Sequence, residues 1–391
     1  MRPTRTQSTF PAPIVEAKKW LDGVTFPADR PLINLSQAAP VAPPPPALCA
    51  YIADIVTNRP EVHLYGAVLG LPELRSALAD EIAARYGGPV RTEQVAITSG
   101  CNEAFAAALS ALTTQGDEVL LPTPWYFNHK MYLDMVGVTA IPIPTDATLM
   151  PDPQIARARI TPRTRAIALV SPNNPCGVEY PPELIAEFYA LARDHGVRLI
   201  LDETYRDFLA TEDAPHALFK DPDWDQTLVH LYSFSKTYRL TGHRVGALAS
   251  SPALLAEIEK FLDTVTICPS QIGQFAALWG MQNLQDWVAG ERYEILDRRA
   301  AIADGFQPLA DKGWKLLGLG AYFAYLEHPF DTSSDALAKH LVQEASLLVL
   351  PATMFTPGDD PAGARQLRIA FANADRAGLH ETLKRLASVT I

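Results

Sequence analysis

An α/β fold built on a mostly parallel sheet, followed by a smaller α/β unit, is predicted by two observations on this 391-residue chain. Apolar runs of strand length alternate with helix-length stretches, and most of these runs are apolar throughout rather than at every second position. Strands apolar on both sides belong in a sheet covered by helices on both faces. The second observation is a change of texture near Asp286, where a long charged helical stretch through Asp297, Arg298 and Arg299 replaces the regular alternation. A single core has usually stopped growing at this chain length, so two units are expected.

The elements follow in order. An N-terminal arm leads to Pro43–Pro46, a run whose fixed φ predicts a short, rigid polyproline II connector. Leu74, Leu78 and Ile82 recur at helical spacing behind Pro72, a favoured first-turn proline. Strands are expected over Val95–Thr98, Glu118–Leu121, Val138–Ile143, Arg165–Ser171, Val197–Asp202, Leu228–Ser233 and Val245–Ser250. Helices over Glu103–Leu112, Tyr126–Met135 and Glu183–His195 separate several of them. In the second unit, strands over Tyr322–Glu327, Leu347–Leu350 and Leu367–Phe371 alternate with helices over Ser334–Ala345 and Ala377–Ala387. The expected division is residues 1–49 as an arm and part of the small domain, 50–285 as the large domain and 286–391 as the small domain.

Composition excludes several function classes. A net charge of −11 opposes nonspecific binding to nucleic acid or anionic membrane, either of which needs a basic face. Cys49, Cys101, Cys176 and Cys268 lie far apart, with neither a C-x-x-C pair nor zinc-ligand spacing, so a reduced compartment and no metal are expected. The basic start Met1–Arg5 leads into no apolar signal core, and no run reaches the length of a membrane span. A cytoplasmic protein acting on small molecules is the expectation.

Chemistry gathers at the ends of the predicted strands. The stretch Ser233-Phe234-Ser235-Lys236, with Arg244 eight residues after the lysine, offers hydroxyls, an amine and a guanidinium. Together these suit a phosphorylated aldehyde, since the amine can condense with the aldehyde while the fork and hydroxyls grip the phosphate. Asp202 closes its strand; a carboxylate there either caps the next turn or pairs with a cation such as a protonated pyridine nitrogen, and Tyr205 follows with a phenol. Ser171-Pro172-Asn173-Asn174-Pro175 makes a fixed loop in which Asn174 is either a turn residue or a preorganised donor. Ser99-Gly100-Cys101-Asn102 joins a strand to an alanine-rich helix, giving an N-cap or free amides that would suit a phosphate.

In that order and spacing, these residues resemble the class I/II aminotransferases of fold type I, which use pyridoxal 5'-phosphate, and the resemblance covers nearly the whole chain. It implies that Lys236 is the Schiff-base lysine and proton shuttle, and that Arg244, Ser233, Ser235, Gly100 and Cys101 hold the phosphate. Asp202 would keep the pyridine nitrogen protonated, while Asn174 and Tyr205 would bond the ring hydroxyl oxygen. Tyr126 would stack on the ring, with Trp125 as the alternative. Arg368 would clamp the substrate α-carboxylate beside Asn174, and Tyr65 would reach a partner subunit's phosphate in a homodimer with shared active sites. Ala38 falls at the substrate in the covering segment Leu35–Pro40, where many members carry glycine.

The implied reaction is transfer of an amino group from an L-amino acid to a 2-oxo acid, with 2-oxoglutarate the expected acceptor. Lyase or decarboxylase chemistry on the same scaffold and a noncatalytic amino-acid sensor are the alternatives. A second carboxylate-binding arginine would indicate dicarboxylic substrates, and Arg30, Arg59 and Arg239 are the candidates. Tyr322, Phe323 and Trp20 are expected in core packing, with an aromatic pocket wall as the alternative, and His129 on an exposed helix face, with action on substrate from near the stacking position as the alternative.

Overall fold

The computed structural model describes residues 4–391. Its strands are β1 (Ile33–Asn34), β2 (Val95–Thr98), β3 (Glu118–Thr123), β4 (Thr139–Pro144), β5 (Thr164–Val170), β6 (Arg198–Asp202), β7 (Leu228–Ser233) and β8 (Gly246–Ala249). They continue with β9 (Lys315–Gly320), β10 (Phe323–Glu327), β11 (Leu347–Leu348), β12 (Leu350–Pro351) and β13 (Gln366–Ala370).

Seven strands form the large sheet in the order β2-β8-β7-β6-β5-β3-β4. All pairs from β7 to β4 are parallel, and β8 runs antiparallel to both of its neighbours. Successive residues of a strand feed opposite cores. Leu199 and Leu201 of β6 pack in one apolar cluster and Ile200 in another, while Leu228 and Tyr232 of β7 are separated in the same way from Val229 and Leu231. That is why the runs are apolar at every position: each face of the sheet has its own helical cover.

The antiparallel β8 matters for function. Its first residue, Gly246, pairs with Ser233 at the end of β7 and with Thr98 at the end of β2. The segment entering β8 therefore meets the segments leaving β2 and β7 at one edge of the sheet. The loops after β3, β5 and β6 open on the same edge, where parallel α/β sheets bind ligands.

The smaller unit carries an antiparallel sheet in the order β12-β13-β10-β9. The helices Gln285–Gly305 and Arg376–Ser388 pack together beside it. Its core holds Phe323, Leu326, Leu341, Ile369 and Leu383. Early in the chain, β1 pairs in parallel with β11, which binds the arm to this unit. A separate apolar cluster brings together Ala17 of the helix Pro13–Lys19, Phe127 and Met131 of the helix Phe127–Val136, and Val342, Leu350 and Phe355 of the small unit.

Local expectation and structure differ in a few places. Pro46 is not part of a polyproline connector but the first residue of the helix Pro46–Asn58, where a proline's fixed φ suits the turn and its missing N–H costs no bond. Pro45 before it is extended, at φ −60° and ψ 148°, and Pro43 and Pro44 also lie outside any helix or strand. Strand β9 and the helices Pro252–Val265 and Gln271–Asn283 are additional to the expected elements. Tyr322 and Phe323 are buried in the small-unit core, as expected.

Candidate active site

A cavity of about 390 Å³ opens where the sheet edge, the arm and the small unit meet. Cys101, Tyr126, Asn174, Asp202, Tyr205, Ser233, Ser235, Lys236, Arg244, Arg368 and Ala38 all line it. Residues separated by hundreds of positions are thus gathered by the ends of β2, β3, β5, β6 and β7, the segment entering β8, strand β13 of the small unit and one covering segment.

One end of the cavity is built from backbone. Gly100 has φ +94°, and a Cβ there would collide with the Arg244 guanidinium. A Cβ on Gly246 would likewise run into Gly100 and Cys101. The two glycines therefore allow the helix Cys101–Leu112 to begin directly against Arg244. Its first two residues, Cys101 and Asn102, line the cavity at the positive end of the helix dipole. Arg244 is exposed, donating to Thr241 O at 3.0 Å and Ser99 O at 3.3 Å, and it has no carboxylate partner among the described residues. Ser233 caps the next short helix by accepting from the Ser235 N–H at 3.2 Å.

Asp202 is buried at the end of β6 and accepts from the Thr204 N–H at 3.0 Å. His129 Nε2 stands 3.4 Å from its other oxygen. Burial alone would raise this carboxyl's pKa, but the His129 contact and Thr204 outweigh it and hold the group below its usual value. His129 is consequently not an exposed helix residue: it is 2% exposed and stacks on Phe105 with centroids 3.7 Å apart. Its position three residues after Tyr126, on the same helical face, is the signal that could have located it.

Lys236 donates to the Ala38 carbonyl at 2.5 Å. Burial, with Arg244 and Arg368 adding to it, brings its amine down to about 8. Such an amine is neutral at pH 7 about 300-fold more often than one at the ordinary lysine value. Burial also lowers Arg368 to about 10. Arg368 donates to Asn174 Oδ1 at 3.1 Å and to the Ser36 carbonyl, and its buried Nε has no partner. A guanidinium held without a carboxylate is matched to an incoming one.

Tyr126 lines the cavity whereas Trp125 is buried beneath it, 5.7 Å from the Lys130 ammonium. The Tyr126 phenol accepts from Asn128 Nδ2 at 2.8 Å and donates to Asn102 Oδ1 at 3.3 Å. Tyr205 packs edge-on to Phe323 and against Tyr322. Two expected site residues do not line the cavity: Gly100, which stands against Arg244, and Tyr65, which is 80% exposed, next to Gly66, whose N–H donates to the Cys268 thiol at 3.3 Å.

The sequence model for "Aminotransferase class I and II" matches residues 30–386. The chain belongs to this family. Pyridoxal-phosphate-dependent transamination is accordingly its chemistry, and it is an enzyme of the transferase class. Relatives include the valine–pyruvate aminotransferase of Mycobacterium tuberculosis, 30% identical over 91% of this chain and 90% of that one. Another is Aromatic aminotransferase ISS1 of Arabidopsis thaliana, 28% identical over 92% and 88%. The solved structure of Thermus thermophilus aspartate aminotransferase with maleate superposes at a TM-score of 0.88, with 25% identity and all of both chains covered. Aminotransferases move an amino group from an amino acid to a 2-oxo acid, and this one carries no helix among its described residues long and apolar enough to cross a membrane.

The residues present fit the cofactor. The backbone cradle at Gly100 and Gly246 with Arg244, the lowered amine of Lys236 and the ionised Asp202 suit the phosphate, the aldehyde and the ring nitrogen of a pyridoxal phosphate.

Behind the cavity lies a buried network that sequence reading missed. Asp207 accepts from the Tyr232 phenol and the Thr237 hydroxyl, each at 2.7 Å, and from Arg85 at 2.9 Å. Its loop neighbour Glu203 bonds His230 of β7 at 2.8 Å. The loop that presents Asp202 and Tyr205 is thereby fastened to the strand and turn that present Lys236.

Proposed function

We propose that Lys236 is the amine that holds the cofactor and then carries the proton at the substrate's α carbon, in transamination between an L-amino acid and a 2-oxo acid. The observation that carries this reading is a half-buried lysine with its amine lowered to about 8, sharing one cavity with one anion, Asp202, and two cations, Arg244 and Arg368. When bound, pyridoxal phosphate supplies an aldehyde for amines to condense with and a ring that takes up the electron pair left by the α proton. Asp202, kept ionised by His129, would hold the ring nitrogen's proton, and Asn174 and Tyr205 would bond the ring hydroxyl oxygen. The Arg244 guanidinium, the Ser233 and Ser235 hydroxyls and the Gly100–Cys101 backbone would bind the phosphate. Tyr126 would stack on the ring.

Arg368 would take the substrate α-carboxylate in a bidentate grip. That grip orients the Cα–H bond toward Lys236 Nζ and lets the proton move over a short path. The covering segment contributes carbonyls, Ser36 to Arg368 and Ala38 to Lys236, which keep water from the two cations.

We also propose a homodimer in which Tyr65 completes the partner's phosphate site. Leu64, Tyr65, Val265 and Ile267 are exposed apolar residues, and the Gly66–Cys268 bond ties their two segments together. An apolar surface of this kind is what a second copy would cover.

Borohydride reduction of the holoenzyme followed by peptide mapping tests the central assignment. The reduced cofactor is expected on Lys236, and Lys236→Ala should lose both the label and transamination by at least about 10⁴-fold. Label on any other lysine would overturn it.

A further inference from the structure

We propose that this enzyme selects amino acids with uncharged, apolar side chains over dicarboxylic ones, and that Ile14 and Phe127 are specificity-determining residues. The inference rests on the transaminase reading and concerns the part of the cavity that reading leaves unassigned. Four charged side chains line the cavity, Asp202, Lys236, Arg244 and Arg368, and the cofactor and α-carboxylate account for all four. The lining not given a role above is uncharged: Gln37 of the covering segment, Val170 and Thr204 at strand ends, Asn102, and a wall of Ala12, Pro13 and Ile14 from the arm facing Phe127 and Asn128. Ile14 and Phe127 share an apolar cluster with Met354 and Phe355 of the small unit. The nearby amides of Asn102 and Asn128 are both bonded to the Tyr126 phenol.

None of the three arginines considered for a distal carboxylate reaches this wall. Arg239 forms a two-point ion pair with Glu291, at 2.9 and 2.7 Å. Arg59 is exposed over the Phe275 ring, and Arg30 does not line the cavity. A second carboxylate entering here would lose water and gain no cation from its own subunit, a cost that exceeds anything its methylenes recover. A leucine, methionine or phenylalanine side chain would instead lie against Ile14 and Phe127 and bury apolar area on both. The 2-oxo acid enters the same cavity, so the preference extends to the acceptor, and pyruvate should outperform 2-oxoglutarate.

The test is a single-turnover half-reaction on the purified holoenzyme, following cofactor absorbance with leucine, methionine, phenylalanine, aspartate and glutamate in turn. The second half-reaction is then measured with pyruvate and with 2-oxoglutarate. At least one neutral donor is expected to exceed both dicarboxylic donors in kcat/KM by about tenfold or more. Ile14→Lys should raise the aspartate-to-leucine ratio by about tenfold, and Ile14→Ala should lower leucine while changing alanine little. Aspartate or glutamate equal to the best neutral donor would overturn the proposal and leave transamination standing, and would point to a cation from the partner subunit. No change in the ratio for Ile14→Lys would remove Ile14 from the specificity wall. Failure of every amino acid to convert the cofactor would overturn the transaminase reading as well.

Discussion

The two ends of the cavity are built by different means. At the cofactor end, each functional group sits within a few residues of a strand terminus: Asp202 on β6, Ser233 and Lys236 after β7, Arg244 before β8, Gly100 after β2. At the side-chain end, the wall is made from a short arm helix, one face of the helix Phe127–Val136 and a small-unit loop; they meet in an apolar cluster, beside which the Trp125 N–H donates to Phe355 O at 2.7 Å. Polar anchoring of a fixed cofactor demands particular residue types at particular offsets from rigid strands. Apolar selection of a variable side chain demands only surface of the right shape, which many sequences can supply. The first end should therefore be intolerant of single changes and the second should respond by degrees.

Asp202→Ala is the most severe way to test the rigid end. Removing the carboxylate would leave His129 without its partner and, on the proposed reading, would take away the charge that keeps the ring nitrogen protonated. The expected loss in kcat is about 10³-fold, the size found when one preorganised electrostatic contact is deleted from a site. Cofactor binding should survive, because the phosphate contacts are untouched. An Asp202→Ala enzyme that retains more than a tenth of wild-type kcat would show that the cofactor end is no stricter than the other.

Next in size is a pH effect on the apoenzyme. The Lys236 amine, brought to about 8 by burial and by its two arginine neighbours, must be neutral to attack an aldehyde. Because its pKa is depressed, the reactive form gains as pH rises and is complete above about 8. The rate of cofactor attachment, followed by absorbance, should rise about tenfold per pH unit from 6 and level off past 8, close to 100-fold in all. A rate still climbing steeply at pH 10 would mean that the amine is not perturbed.

Legibility in the sequence follows the same division. The seven strands of the large sheet were readable because burial on both faces makes them apolar throughout, and the cofactor groups because they cluster at those strands' ends. What escaped was set by tertiary contact. His129 reads as an ordinary helix residue until Asp202 is placed beside it, and Pro46 reads as part of a proline run until the helix starting at it is seen. Ile14 carries no motif at all, since an isoleucine becomes a specificity residue only through what faces it. Asp207 was missed for a related reason: its partners Arg85, Tyr232 and Thr237 lie on other elements.

Asp207→Asn probes whether the rigid end depends on that rear fastening. An amide can accept from only one side, so it cannot keep all three donors, and a charge-assisted bond in a buried site is lost. The turn bearing Lys236 would loosen relative to the loop bearing Asp202. A fall in kcat of about tenfold is expected, with KM for the amino acid little changed and a shift in the pH dependence of cofactor absorbance. Thr237→Ser, which keeps the hydroxyl, should behave as wild type. Equal losses in the two variants would assign the effect to general destabilisation.

Ala38→Gly is the mildest change and the one that tests the boundary between the two ends. The Ala38 carbonyl accepts from Lys236, while the residue itself lines the cavity near the arm. Glycine preserves the carbonyl, removes one methyl from the substrate side and loosens the covering segment by about 0.5–1 kcal/mol of backbone entropy. Residence at the side-chain end would appear as a change of a few fold in the relative kcat/KM of large and small donors, with the cofactor's pH behaviour unaltered. A shift confined to the cofactor's pH behaviour would instead make the segment part of the rigid end. Selection of the side chain would then rest on the arm and its facing helix alone, because the only wall contributed by the cover would belong to Lys236.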